Sequence, residues 1–351
     1  MYPTSYSRAD VSRSGSENAR FTLYIGGVAQ TNDWHLLGGS MSVNASGRIR
    51  RTSRVALLGN YPEINSVNCE FKLEKAINDE YVPIGVFRVE DPKIAIDRNG
   101  AITTFEGYDR FHLLQQLRLP APYTIPHLTP LDQAIANLIG SRYPSLPIQF
   151  DSTSYKVQGT TFEEQTDPLE KAIDMAKSGG MDLYVDVNGA ARLTPVVDID
   201  SSKVDITFGT EARILKSDQG TSARNTYNHA IAIGEHPSLA TPLRSEAFDD
   251  NPTSLTYYLG DFLDRPTWIR SQFISSQAQC DAAAKALLLR SSGRIQQIGV
   301  TGIPDPALDA NDVLRLYQSD YGVDVIASVE SFTMQLFGGD MPITTRERKV
   351  A

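Results

Sequence analysis

The segment Ile94-Ala95-Ile96-Asp97-Arg98-Asn99-Gly100-Ala101-Ile102-Thr103-Thr104-Phe105 alternates along both flanks of an Asn-Gly pair, and it commits the chain to antiparallel sheet. Successive side chains of a strand point to opposite faces, and Asn-Gly tolerates the positive φ that a two-residue hairpin turn requires. Similar short runs precede it. Phe21-Thr22-Leu23-Tyr24-Ile25 stops at Gly26-Gly27. Ser40-Met41-Ser42-Val43, Arg54-Val55-Ala56-Leu57-Leu58, Val67-Asn68-Cys69-Glu70-Phe71-Lys72-Leu73 and residues 82–89 follow before any helical pattern. Strands this close together, each wetted on one face, predict a β-barrel or sandwich over residues 19–116.

Residues 117–197 have a different pattern. Thr129-Pro130-Leu131-Asp132 reads as a helix start: Thr caps the free amides, Pro has no N–H to lose there, and Asp complements the dipole. Leu131, Ile135, Leu138 and Ile139 keep helical spacing, and Gly140 is the expected stop. Asp167-Pro168-Leu169-Glu170 repeats the device for a helix over residues 168–177, ending before Gly179-Gly180. A second hairpin, residues 182–194 around Asn188-Gly189, completes an α+β unit. Residues 198–338 return to strands, clearest from Tyr227 to Gly234, with one helix over residues 276–290 that puts Cys280, Ala283, Ala284, Leu287 and Leu288 on one face, with Gly293 past its end. The expected class is mixed and mainly β: two β-barrel-like domains flanking or adjoining an α+β domain, the second carrying one inserted helix. Residues 1–18 read as a flexible arm and residues 339–351 as a short charged tail.

The 351 residues hold two or three domains, each large enough to bury a core without metal or disulfide staples. Thirty-three Lys and Arg against forty-two Asp and Glu give a net charge of −9 with no cationic run, which argues against tight nucleic-acid binding. No secretory h-region occurs near the start, and no stretch approaches the roughly 20 apolar residues of a membrane helix, so a soluble chain without membrane insertion is expected. Cys69 and Cys280, far apart, form neither a disulfide framework nor a zinc set and read as small apolar residues in a chain made in a reducing compartment.

The phosphate-cradling loops G-x-x-x-x-G-K-[ST] and G-x-G-x-x-G are absent, Gly38-Gly39-Ser40 sharing only their composition, and so is the nucleophile elbow G-x-S-x-G. No two histidines stand four apart. His35, His112, His127, His229 and His236 read as structural or solvated, with His229 best placed of the five for function. The carboxylate pairs Asp249-Asp250, Asp261/Asp264 and Glu163-Glu164 lie in polar, loop-like sequence and read as solvated surface. Asp198-Ile199-Asp200 with Asp205 hints at calcium but lacks the central Gly and bidentate Glu of an EF-hand. No catalytic residue, cofactor or metal is expected. Trp34, Tyr257, Tyr258 and Trp268 sit beside polar or turn residues, as interface anchors do and as residues at a core edge also do.

Six segments, in order, carry a resemblance. They are Val82-Pro83-Ile84-Gly85-Val86-Phe87-Arg88-Val89-Glu90, the Asn99-Gly100 hairpin with Phe105-Glu106-Gly107-Tyr108-Asp109-Arg110, the Asn188-Gly189 hairpin ending in Leu193-Thr194-Pro195, Arg224-Asn225-Thr226-Tyr227-Asn228-His229, Leu308-Asp309-Ala310-Asn311-Asp312-Val313-Leu314-Arg315-Leu316, and Val329-Glu330-Ser331-Phe332-Thr333-Met334. Over about residues 19–346 the chain resembles the baseplate hub or minor tail proteins of tailed phages, related to the hub part of contractile-tail and VgrG-type proteins. The resemblance implies a virion structural protein at the tail tip, assembled in the host cytoplasm. It implies a homotrimer whose two β-barrel domains per subunit seat a six-fold tube while the other face stays three-fold around the DNA channel. The partners so implied are the tail tube or distal tail protein, the tape measure protein, and tip, spike or receptor-binding proteins. Carboxylates on the channel wall would then repel passing DNA. No spike, receptor-binding or lysin module is visible within the 351 residues, so those tasks are expected of other proteins. The competing classes are a tail-tip glycan-active enzyme, which needs two carboxylates roughly 5–10 Å apart in a cleft, and a carbohydrate-binding module that stacks sugars on the Trp and Tyr residues.

Overall fold

The computed structural model describes residues 3–4, 18–77, 80–196, 204–208, 214–221, 223–237, 239, 241–292, 296–318 and 323–347. Most of the N-terminal arm, the Asp198-Ile199-Asp200 motif, Gly293 and residues 348–351 lie outside them.

The first β region consists of β1 (Ala19–Ile25), β2 (Val28–Ala29), β3 (His35–Asn44), β4 (Arg51–Leu58), β5 (Cys69–Ile77), β6 (Glu80–Asp97) and β7 (Gly100–Tyr108), hydrogen-bonded antiparallel in the order β3-β4-β7-β6-β5-β1-β2. The predicted hairpin is the β6–β7 turn. Asp97 pairs with Gly100, whose φ is +135°, and the Asn99 amide donates to Asp97 Oδ1 at 2.7 Å. The sheet is strongly curled. Phe21 in β1 lies three strands from Phe105 in β7, about 14 Å on a flat sheet, yet their ring centroids are 5.9 Å apart. Trp34, just before β3 at the opposite end of the order, reaches Phe21 at 5.8 Å. The curl encloses Leu23, Leu57, Phe71, Leu73 and Phe87, all fully buried. Gly107 makes room for this packing, since a Cβ there would stand 2.4 Å from Phe71 Cζ and 2.4 Å from Ser53 Oγ.

The α+β unit comprises α1 (Phe111–Gln116), β8 (Tyr123–Ile125), β9 (Thr129–Pro130), α2 (Leu131–Arg142), β10 (Ile148–Phe150), β11 (Lys156–Val157), β12 (Thr160–Phe162), α3 (Pro168–Ser178), β13 (Met181–Val185) and β14 (Ala191–Pro195). At two places the structure departs from the local sequence pattern. Thr129 does not cap α2: it pairs with Val157 in the β9–β11 bridge, its hydroxyl donates to the Pro126 carbonyl at 2.7 Å, and the Leu131 amide finds the Tyr155 carbonyl at 2.9 Å. A neighbouring strand end has replaced the side-chain cap. Gly140 does not stop α2 either. The helix runs on to Arg142 and ends at Tyr143 before Pro144, whose ring disfavours helical geometry in the residue preceding it. The second helix start behaves as its sequence indicates, Asp167 Oδ1 accepting the Leu169 and Glu170 amides at 3.0 and 3.1 Å. In the second hairpin Asp186 Oδ1 accepts the amides of Asn188 and Ala190, both at 2.9 Å, and Gly189 takes φ +77°.

The remaining elements are β15 (Ile206–Phe208), β16 (Ile214–Thr221), β17 (His229–Gly234), β18 (Leu243–Phe248), β19 (Pro266–Ser271), α4 (Gln277–Ser292), β20 (Gln296–Gly302), β21 (Val313–Gln318), β22 (Val323–Gln335) and β23 (Met341–Glu347). β22 pairs with β3 from Ser331↔Asn44 to Gln335↔Ser40, and Thr333 Oγ1 meets Ser42 Oγ at 2.9 Å. The two β regions therefore share one thirteen-stranded sheet of order β16-β20-β23-β22-β3-β4-β7-β6-β5-β1-β2, with β21 on β22 and β15 on β21. A single core runs beneath both, from Phe21 and Phe71 to Leu314, Phe332 and Ile343. The chain is mainly β with an α+β part. Among the described residues the strand order does not close on itself, so curl rather than hydrogen-bonded closure shapes the first half.

β17, β18, β19 and α4 are inserted between β16 and β20, which pair with each other. They form a separate sheet of order β18-β17-β19, with β19 parallel to β17. α4 covers one face through Ala232, Ile274, Cys280, Ala283 and Ala284. The helix read from sequence thus arrives with a sheet of its own. Cys69 and Cys280 are both free and buried; burial raises both thiols, Cys280 to about 11, which removes nucleophilic character at neutral pH.

Candidate functional site

The four aromatic candidates divide. Trp34 belongs to the core edge, 5.8 Å from Phe21 and 4.9 Å from Tyr61. The other three sit on the inserted module. Trp268 in β19 is 54% exposed and flanks Ile231 from one side while Glu246 flanks it from the other. Because Ala232 faces α4, the alternate position Ile231 and its partners face away from the helix. Tyr258 leans on Phe248 at 4.9 Å, Phe248 stacks on His229 at 4.1 Å, and Tyr257 meets Tyr258 edge-on at 5.6 Å. Leu255, Leu259 and Leu263, each more than half exposed, accompany them on the connection between β18 and β19.

That connection, residues 249–265, is held by one side chain. Asn228 is fully buried, its Nδ2 donating to the carbonyls of Thr256 at 2.9 Å and Leu263 at 2.8 Å while its Oδ1 accepts the Arg265 amide at 2.8 Å. The Asp249 amide donates to the Asn228 carbonyl at 2.8 Å, and Asp249 Oδ2 accepts the hydroxyls of Ser254 and Thr256. His229 lies with Nδ1 2.9 Å from Asp264 Oδ1 and Nε2 3.3 Å from Glu246 Oε2. Asp249 and Asp264 are therefore parts of the loop's architecture, while Glu163 and Glu164 are exposed. No group of three or more His, Cys, Asp or Glu side chains among the described residues is placed to hold a metal ion.

A second polar cluster fastens the two β regions and the α+β unit together. Arg51, 1% exposed, donates through Nη2 to Asp309 Oδ2 at 2.5 Å. Arg50 donates to the Ala310 carbonyl at 2.6 Å and lies 4.0 Å over the Tyr184 ring of β13. Asp109, fully buried, accepts the Arg50, Arg51 and Phe111 amides at 2.8, 3.0 and 3.0 Å, which ties β4 to the start of α1. Arg110 forks onto Glu70 at 2.7 and 3.2 Å and reaches the Gly189 carbonyl at 2.9 Å, so the turn of the second hairpin docks on β5. Arg51 shares its strand parity with Val55 and Leu57, and a cation on an apolar parity is the sequence signal that marks it. Asn228, Asp309, Asp109 and Arg110 all lie within the segments that carry the tail-protein resemblance, but polar residues in turn sequence do not disclose their partners.

Burial pushes Asp109 up to about 6 and Asp312 up to about 6, whereas Asp309, which burial alone would raise, is held below the ordinary range by Arg51 and Arg50. For Asp109 the folded chain keeps its proton to about pH 6 while the unfolded chain releases it near 4, so rising pH draws the proton from the unfolded state first and favours unfolding. Relative to Asp109→Asn, which cannot ionise, the wild type is expected to lose about 3 kcal/mol of stability between about pH 4 and 7. Urea titrations of both chains across that range measure the difference, and a flat difference contradicts the assignment.

No protein-family model matches the chain, and no curated protein sequence matches it either. Solved structures do. A tail protein from Neisseria meningitidis shares 12% identity over 94% of this chain and 96% of its own length, with a TM-score of 0.65. The 43 kDa tail protein of prophage MuSo2 from Shewanella oneidensis shares 14% identity over 93% and 98%, with a TM-score of 0.62. An E. coli component of the type VI secretion system, described as structurally similar to the T4 tail proteins gp27 and gp5, shares 10% identity over 93% and 77%, with a TM-score of 0.55. The chain has the fold of these proteins from nearly end to end.

Proposed function

We propose that the chain is a structural hub subunit at the distal end of a phage-type tail, a trimeric ring that joins a six-fold tube to a three-fold tip and surrounds the DNA channel. The observation that carries this reading is the fold shared, over more than nine-tenths of the chain, with a tail protein and a prophage tail protein. The architecture supplies a physical reason. Each chain carries two β halves side by side in one sheet, so three chains around an axis would offer six such units to a tube while their other surfaces repeat three times. The work is done by assembly geometry without a bond-making residue. Residues 19–116 and 198–338 would form the ring, with residues 117–197 beside it; residues 341–347, which the sequence suggests are a charged tail, belong to the ring as β23, because Met341 and Ile343 enter the core and the strand pairs with β20 and β22. The neighbours in this reading are the tube or distal tail protein, the tape measure protein and the tip or spike proteins, in a virion assembled in the host cytoplasm.

Trp268, exposed on β19, and Tyr257 and Tyr258, half-buried on the adjoining connection, are the proposed anchors of a protein contact, because aromatics of this kind are enriched at interface hot spots. Native mass measurement of the purified chain is expected to give three copies. Trp268→Ala is expected to weaken the contact it anchors by about 2 kcal/mol, roughly thirty-fold in dissociation constant. A monomer at every concentration, or a trimer indifferent to Trp268, Tyr257 and Tyr258 together, contradicts this reading.

A further inference from the structure

A cleft of about 210 Å³ opens where the turn after β3, the end of α3, β13, α4 and β23 meet, and its lining concentrates charge of one sign. Arg48, Lys177, Arg290 and Arg346 face it, against the single carboxylate of Asp182. In a chain of net charge −9, four cations around one acid is a local reversal of sign. Asp182 is already engaged by Arg290 at 2.7 Å.

Three of the cations are also held in place. Arg48 is fixed by Asp167, the cap of α3, at 2.7 Å. Arg290 bonds the Met181 carbonyl at 2.8 Å in addition to Asp182. Arg346 donates to Ser328 Oγ at 2.9 Å and Asn311 Oδ1 at 3.3 Å. A guanidinium has five N–H donors in a fixed fork, so Arg48 and Arg290, each bonded through Nη2, still present donors after these contacts. Lys177, in the last turn of α3, is within electrostatic reach of Asp174 but forms no salt bridge with it among the described residues. Fixed cations around a recess bind an anion with little ordering cost, the condition under which charge-assisted hydrogen bonds are strongest.

We infer that this cleft is an oxyanion-binding site that takes a carboxylate or phosphate group. Its volume fixes the size class. At about 210 Å³ it lies below the range of about 300–1,000 Å³ usual for larger organic ligands, so it suits one small anion or the tip of an acidic side chain. The assignment does not depend on the ring. It concerns a recess whose walls come from a single chain.

The test is calorimetric titration of the full chain at constant ionic strength with inorganic phosphate and, separately, with hexaglutamate. Lys177→Glu is compared with Lys171→Glu, which makes the same charge change on the same helix outside the cleft. Binding of either probe, weakened at least tenfold by Lys177→Glu and less than twofold by Lys171→Glu, is the expected result. Phosphate binding assigns a free small anion as the ligand, and binding of hexaglutamate alone assigns an acidic segment of a partner chain. Absence of binding by both probes at millimolar concentration, or equal weakening by the two variants, overturns the site.

Discussion

Arg51→Ala is expected to lower the unfolding free energy by about 3–5 kcal/mol, the range seen when one partner of a buried ion pair is removed. Arg51 is 1% exposed, and its guanidinium closes the contact between β4 and the turn that carries Asp309 and Ala310. Without it Asp309 keeps its charge with only the Ala310 amide at 2.6 Å and the more distant Arg50 at 3.9 Å to offset it. Lost packing adds to the effect, because the arginine stem fills the inward parity of β4 beside Val55 and Leu57. Denaturant titration measures it, with an unchanged m-value showing that the folded state remains compact. The double variant Arg51→Met, Asp309→Leu is expected to recover most of the loss, since apolar volume often replaces a buried pair at little cost. A loss below about 1 kcal/mol for Arg51→Ala would place the pair among solvated contacts and remove its role as the clasp.

Asn228→Ala is expected to release the connection between β18 and β19. The substitution leaves the Thr256 carbonyl without its partner in a buried place, and the Leu263 carbonyl and Arg265 amide without theirs in part-buried ones. Each unsatisfied group costs about 1–3 kcal/mol, and a connection can escape that penalty only by opening to water. The expected result is a loss of about 3 kcal/mol or more in local protection. Hydrogen exchange would rise across residues 249–265, while β3, β4 and β22 keep their protection because they belong to a different sheet and core. Tyr257 and Tyr258 would lose their fixed positions with it, so any contact they anchor weakens without either residue being changed. Uniform loss of protection through the large sheet would contradict the separation of the two units.

These two residues show where sequence reading succeeds and where it stops. The hairpins at Asn99-Gly100 and Asn188-Gly189 are legible because period-two alternation and a turn pair that accepts positive φ are local properties. The start of α3 is legible for the same reason, since Asp167 caps the helix within its own segment. Thr129 misleads because Tyr155, just before β11 and more than twenty residues on, supplies a carbonyl to the Leu131 amide at the helix start. β18 and β19 leave little trace: six-residue strands, one opening on Pro266, carry too short an alternation to stand out. The union of the two β regions is invisible for a deeper reason, because the β3–β22 pairing joins residues almost 300 positions apart and nothing local encodes a partner at that distance. Of the aromatic candidates, Trp268, Tyr257 and Tyr258 converge on one module, whereas Trp34, flanked by polar residues in sequence, is drawn to the core by Phe21 and Tyr61.

The central claim is that the chain acts by its place in a symmetric assembly. Electron microscopy of the particle that contains it, resolved well enough to trace this chain, tests that claim most directly. The account expects three copies around the tail axis at the distal end of the tube, with six β units facing the tube. A single copy away from the axis, or a cleft of this chain holding a substrate at reacting side chains, would contradict it.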